Sequence, residues 1–296
     1  MRSKRVGRNM TGRGKFFAAA AVCWLAAAGL AIKTEAMAME KIKVAIAQIR
    51  CTDSDLEGNL EKIAEKVEKA AAAGARMVFF PETADLGWVN PEAHRLAGPV
   101  PGGTACTRVC ALARAHKIWI GVGLYEKDGE KLYDTAILVN PQGEVVLKHR
   151  KINLLAWLMD PPDLPGRPED ISAVATPFGR VGILICADSF EEELLARMRE
   201  QKPDLVFIPY GWAAKQSEWP EHSFSLVKTV QKAARTIGAP VIGPNVVGRI
   251  THGPWTDYTY EGLSTAADGT GMSLVQGRWN TDDLILVEVE PGNVLK

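Results

Sequence analysis

The chain has 296 residues, 35 basic and 35 acidic, so its formal net charge is zero. That balance, with no basic stripe interleaved with aromatics, excludes a protein that grips nucleic acid by charge. A hydrophobic fraction of 47% supports a large core, and the length allows one large domain or two small ones.

The amino terminus stands apart. Arg2, Lys4, Arg5, Arg8, Arg13 and Lys15 form a basic segment, residues 16–32 are uncharged and alanine-rich, and Ala36-Met37-Ala38 is a small-residue cleavage site. In that order they read as a secretory signal over residues 1–38, leaving one domain over residues 39–296 and an exported protein, periplasmic or extracellular. An uncleaved membrane anchor, or a start at Met39 giving a cytoplasmic protein, are the other readings. Of five cysteines, Cys23 leaves with the signal, and Cys51, Cys106, Cys110 and Cys186 stay. Cys106 and Cys110 share a face of a predicted helix and read as core packing. No cysteine or histidine spacing calls for zinc, and no glycine-rich loop follows a strand to hold a nucleotide, so neither metal nor cofactor is implied.

Residues 43–48 predict a strand. Asp53 or Ser54 can cap the helix that follows, whose stripe is Leu60, Ile63, Val67 and Ala70, and Gly74 ends it. Residues 76–80 predict a second strand, apolar throughout as in a sheet covered on both faces. This β-α-β unit makes the two strands parallel. Thr104 can cap a helix. Strands over 118–125 and 132–139 join through an Asp128-Gly129 hairpin, and a third over 144–150 ends at Lys151. A proline-rich loop over 160–168 follows. Residues 181–185 are a buried strand that stops at Cys186, and an acidic helical segment comes next. Further strands are predicted over 204–209, 240–247, 261–267, 272–276 and 284–290, with a helix over 221–237 closed by Gly238. The sum is an α/β domain with a mixed sheet, or two sheets, between helices.

Three polar residues follow directly on apolar strands: Glu82, Lys151 and Cys186. Ligands sit at the carboxyl ends of strands in open α/β sheets. A cysteine nucleophile needs a base and a positive group for the developing oxyanion. A desolvated carboxylate and a fixed ammonium supply both. Each residue alone also fits a bland role: a core thiol, a loop carboxylate and a solvated lysine.

Phe79-Phe80-Pro81-Glu82, His149-Arg150-Lys151-Ile152-Asn153-Leu154 and Gly182-Ile183-Leu184-Ile185-Cys186-Ala187-Asp188 resemble the three signature segments of the nitrilase superfamily, the carbon–nitrogen hydrolases. The resemblance runs over residues 42–289. It implies an αββα sandwich that forms homodimers, or higher homo-oligomers, through its helices. It implies Glu82 as general base, Lys151 as oxyanion stabiliser and Cys186 as nucleophile. The implied reaction is thiolate attack on an amide, carbamoyl or nitrile carbon, loss of ammonia or amine, and hydrolysis of the thioester by water. The chain departs from the family pattern where Asn153 replaces a histidine. It also has no glutamate in the loop between lysine and cysteine. Asp160 and Asp163 are the carboxylates there, and Asp160 is the expected substitute. Ala187 stands where nitrilases have tryptophan and amidases commonly have tyrosine, while Asp188, two beyond the cysteine, matches the amidase and carbamoylase side of the family, so a small linear amide or carbamoyl compound is the expected substrate.

Trp88, Trp212 and Trp255 lie in loops where they can line a pocket, with Trp212 the best placed. Gly262-Leu263-Ser264 imitates a nucleophile elbow but precedes a hairpin, so Ser264 reads as structural. His149 reads as solvated. Nitrile hydrolysis and acyl transfer to an amine are alternatives on the same fold. A catalytically silent binding protein is the alternative of another class.

Overall fold

The computed structural model describes residues 40–155 and 158–295. The predicted signal over residues 1–38 lies outside them, as does Met39. The first sheet holds β1 (Ile42–Gln48), β2 (Met77–Phe79), β3 (Trp119–Asp128), β4 (Lys131–Val139), β5 (Val145–Arg150) and, at its other edge, β15 (Asp283–Val289). The second holds β6 (Ala173–Thr176), β7 (Gly179–Ile183), β8 (Leu205–Phe207), β10 (Val241–Gly243), β13 (Thr265–Ala267) and β14 (Ser273–Gln276). A small third sheet joins β9 (Ala213–Ala214), β11 (Val247–Arg249) and β12 (Thr259–Glu261).

Strand alternation builds the layers. Ile42, Val44 and Ile46 of β1 face the second sheet with Met77 and Phe79 of β2. Ala45, Ala47 and Val78 face the other way, onto α1 (Leu56–Ala72) and α3 (Thr104–His116), with the single-turn α2 (Ala93–Leu96) between them in sequence. With both faces buried, polar residues are confined to Lys43 and Gln48 near the ends of β1, and the rest reads as continuous apolar runs. On the far side, α4 (Glu192–Glu200) and α5 (Glu221–Ile237) cover the second sheet with Leu195, Met198, Val230 and Ala234. The result is the expected αββα sandwich. β1 and β2 are parallel, as their β-α-β connection requires.

Several local expectations need correction. Asp55 caps α1, its carboxylate accepting from Gly58 N at 3.1 Å, in place of Asp53 or Ser54. Thr104 opens α3 without capping it. The run over 240–247 splits at Pro244 into β10 and β11, which join different sheets. The predicted strand over 261–267 likewise divides into β12 and β13. β15 leaves its neighbour in sequence and pairs antiparallel with β1, tying the chain end into the first sheet. Cys106 packs in the α1–α3 core and Cys110 beside it, both as free thiols.

Candidate active site

The three strand-end residues meet. Glu82 follows β2 by three residues, and the loop it opens presses on β3: a Cβ on Gly123 would stand 2.6 Å from Pro81 O and 2.7 Å from Glu82 Cα. Only glycine fits there. Lys151 follows β5 directly, its N–H donating to Asp134 O at 2.8 Å. Cys186 follows β7 after Leu184 and Ile185 and opens a 3-10 turn (Cys186–Phe190) before α4. Its φ is +42°, uncommon for a residue with a side chain. Cys186 N donates to Pro209 O at 3.0 Å, and Ser189 Oγ donates to Cys186 O at 2.6 Å, so the turn is held from both sides.

Lys151 Nζ donates to Glu82 Oε1, with both side chains buried. Glu82 Oε2 is buried and has no hydrogen-bond partner among the described residues. Buried acceptors are nearly always satisfied, so an orphan of this kind marks a place where a ligand or a moving proton belongs. Gly211 lies against both groups: an added Cβ would stand 3.0 Å from Glu82 Oε2, and its backbone N–H acts to lower the Cys186 pKa. Burial pushes the Cys186 thiol well above its ordinary pKa; the Glu82 charge adds to the rise and Lys151 opposes it. The resting group is therefore the thiol, and it needs a base. Burial acts to lower the Lys151 pKa, but Glu82, Asp134 and Cys186 outweigh it and hold the ammonium well above its usual range. The ammonium stays charged.

Sequence reasoning missed Asp134. It is 1% exposed, and its Oδ2 lies 3.3 Å from Lys151 Nζ without hydrogen-bond geometry. Burial first, then the Glu82 charge, hold its carboxyl well above the usual carboxylate range. Asp160, the expected loop carboxylate, is exposed at the surface. Asp163 instead lines a small cavity with Lys151, Trp88 and Tyr125, and burial raises its carboxyl while Lys151 pulls it down.

Asp188 was noticed only as a family marker. It is fully buried and takes four donors: Ile152 N at 2.9 Å, Asn153 N at 2.8 Å, Ile185 N at 3.0 Å and His149 Nε2 at 2.8 Å. One carboxylate thus bolts the end of β5 to the cysteine turn. His149 is buried, not solvated, because the β5 pleat turns Leu147, His149 and Lys151 inward. Asn153, in the family's histidine position, donates to Ala187 O at 2.9 Å and strengthens the same joint. Ser264 Oγ accepts from Asn245 N at 2.9 Å, a structural contact.

Above the thiol lies a cavity of about 140 Å³, walled by Trp88, Leu155, Phe190, Trp212 and Trp255, with His222 at its edge. All three candidate tryptophans reach it. Trp88 and Trp255 meet edge to face with centroids 5.5 Å apart, as do Phe190 and Trp212 at 5.6 Å. Lys151 Nζ lies 5.7 Å from the Trp88 ring centre.

A buried thiol, a carboxylate and an ammonium meet at strand ends of an αββα sandwich, and the class this fold defines is the carbon–nitrogen hydrolases. The family profile described as carbon–nitrogen hydrolase matches residues 43–294, and the chain belongs to that family, within the nitrilase superfamily. A nitrilase of Pyrococcus abyssi is 30% identical over 174 residues, 57% of this chain and 64% of that protein, just under two thirds of its length. The deaminated glutathione amidase of Mus musculus is 26% identical over 79% of this chain and 76% of its own. An amidase from Nesterenkonia sp. shares the fold with a TM-score of 0.73 at 21% identity, over 86% of this chain and 92% of that one.

Proposed function

We propose that this protein hydrolyses the carbon–nitrogen bond of a small linear amide or carbamoyl compound through a thioester on Cys186. The observation that carries the reading is the unpartnered Glu82 Oε2 beside the buried thiol, with its sister oxygen held by Lys151.

Glu82 takes the thiol proton, and the thiolate attacks the carbonyl carbon. The carbonyl π electrons move to oxygen, whose charge faces the Lys151 ammonium. The C–N bond then breaks as Glu82 returns the proton to the leaving nitrogen, releasing ammonia or amine. Water attacks the thioester, Glu82 takes its proton, and the acid leaves with the thiol restored. Asp134 stands as a second carboxyl for that proton and a second counter-charge for Lys151. The cavity wall is mostly aromatic and aliphatic, which lowers the dielectric in which these charges act.

Amide chemistry is favoured over nitrile chemistry by Asp188, two residues after the cysteine. A mutant of the Nesterenkonia amidase shows covalent addition of the acetamide moiety of fluoroacetamide at its active-site cysteine, which is the kind of adduct expected here. In this proposal the mature chain is exported and forms homodimers through its helices, a surface on which Phe224 of α5 is exposed. Light scattering on the purified protein reads the oligomer.

The test combines ammonia release with intact mass over a panel of amides, carbamoyl compounds and nitriles. Amide turnover with a transient acyl adduct on the wild type, and neither on Cys186→Ala, is the expected result. Turnover by Cys186→Ala would end the thioester reading. A product in which an added amine captures the acyl group, faster than water does, would convert it to a transferase.

A further inference from the structure

The cavity wall carries a polar pair that the reaction above does not use. His222 is 35% exposed at the cavity edge, in the first turn of α5. Its Nδ1 bonds Oε2 of Glu261 at 2.7 Å. Glu261 ends β12 and is 2% exposed; Ser223 Oγ donates to its other oxygen. His222 is the only basic side chain bonded to that buried carboxylate among the described residues. Trp212 holds the residue twice more: its Nε1 donates to the His222 backbone O at 3.3 Å, and its ring lies 5.5 Å from the imidazole at 38°.

With Nδ1 committed to Glu261, Nε2 is the ring atom left for a ligand, and it makes no hydrogen bond to any described residue. This is the arrangement that fixes a histidine's orientation from behind. Apart from Lys151 and Cys186 at the reacting end, His222 is the one side chain with a titratable polar group in the wall of this cavity among the described residues. Every other wall side chain is aliphatic or aromatic. A ligand spanning the cavity therefore meets polar groups at two places, the thiol end and His222. An imidazolium donates from both ring nitrogens, so Nδ1–H can serve the buried Glu261 carboxylate while Nε2–H serves a ligand. A charge-assisted bond from that donor to an anionic oxygen is about twice as strong as a neutral one.

We propose that His222, backed by Glu261, recognises a carboxylate on the acyl side of the substrate. The substrates are then short mono-amides of dicarboxylic acids, with the amide at Cys186 and the acid at His222. This rests on the amide hydrolysis proposed above and narrows its substrate class.

The test sets succinamate and glutaramate against butyramide and valeramide, neutral amides of matching length. Calorimetric titration of Cys186→Ala measures binding without turnover; kcat/KM on the wild type measures use. The carboxylate compounds are expected to bind about tenfold tighter or more. Their kcat/KM advantage over the neutral pair should fall about tenfold in His222→Phe and to a lesser extent in Glu261→Gln. Equal binding of acid and neutral amides overturns the proposal, and so does an advantage that survives His222→Phe. The wild-type comparison needs no variant to fold. If Cys186→Ala binds succinamate preferentially but the wild type forms no acyl adduct with any amide, the hydrolase reading falls and this recognition site stands.

Discussion

At the floor of the cavity, Glu82, Asp134, Lys151 and Cys186 stand at or beside strand ends, fixed by backbone bonds and buried charges. At the rim, Trp88, Phe190, Trp212 and Trp255 come from loops and the edges of the small sheet, held ring edge to ring face. Moving a floor residue breaks a strand register or strands a buried charge. Moving a rim residue loses an aromatic contact worth about 1 kcal/mol. The chemistry proposed above thus falls on the rigid part and the proposed selectivity on the adaptable part, as expected where loops carry variation on a fixed scaffold.

The division yields graded expectations. Glu82→Gln should lower kcat about a thousandfold, with KM little changed, in ammonia-release kinetics. A change confined to KM would erase the distinction between floor and rim. Asp134→Asn, one step further from the thiol, should lower kcat by roughly tenfold to a hundredfold. An unaltered kcat would remove Asp134 from the floor.

Asp188→Ala leaves Ile152 N, Asn153 N, Ile185 N and His149 without their shared acceptor. Denaturant unfolding should show a loss of about 3–5 kcal/mol. A loss below about 1 kcal/mol would mean that the joint between the two strand ends is held by something else. Trp212→Ala at the rim should raise KM about tenfold while leaving kcat within a few-fold. A kcat effect as large as that of Glu82→Gln would move Trp212 into the floor.

The smallest effect concerns Asp85, just behind the floor. It is 1% exposed, and burial pushes its carboxyl up to about 7 even though it accepts from Tyr125 N at 3.1 Å. An acid with a raised folded-state pKa binds its proton more tightly when folded. Its contribution is fully present below the ordinary aspartate pKa of about 3.9 and is lost as pH rises through the raised value. Stability from this group should therefore fall by about 2 kcal/mol between pH 5 and pH 7. Asp85→Asn should abolish that slope in thermal unfolding followed against pH; an identical slope in both proteins would reject it.

The sequence by itself determined the strands, the helices between them and the three strand-end residues; one sheet or two stayed open until the family resemblance implied the sandwich. Apolar runs with period-two faces can only be strands covered on both sides, and each ends where a polar side chain appears. It determined α5 to the residue, because Gly238 takes the left-handed conformation that stops a helix. What it left open were relations between strands. Counting back from the turn at Asn140 pairs Asp134 with Arg150. A register shift between Leu138 and Val139 moves the pairing by one residue and sets Asp134 beside Lys151. A one-residue slip exchanges faces, and no propensity announces it. The same holds for His149, whose inward turn depends on Asp188 waiting across the interface. It holds for His222 and Glu261, which are 39 residues apart and meet only because β12 lies beside the start of α5. Local chemistry writes the strand ends; only packing of the two sheets and the small third one decides which of them touch.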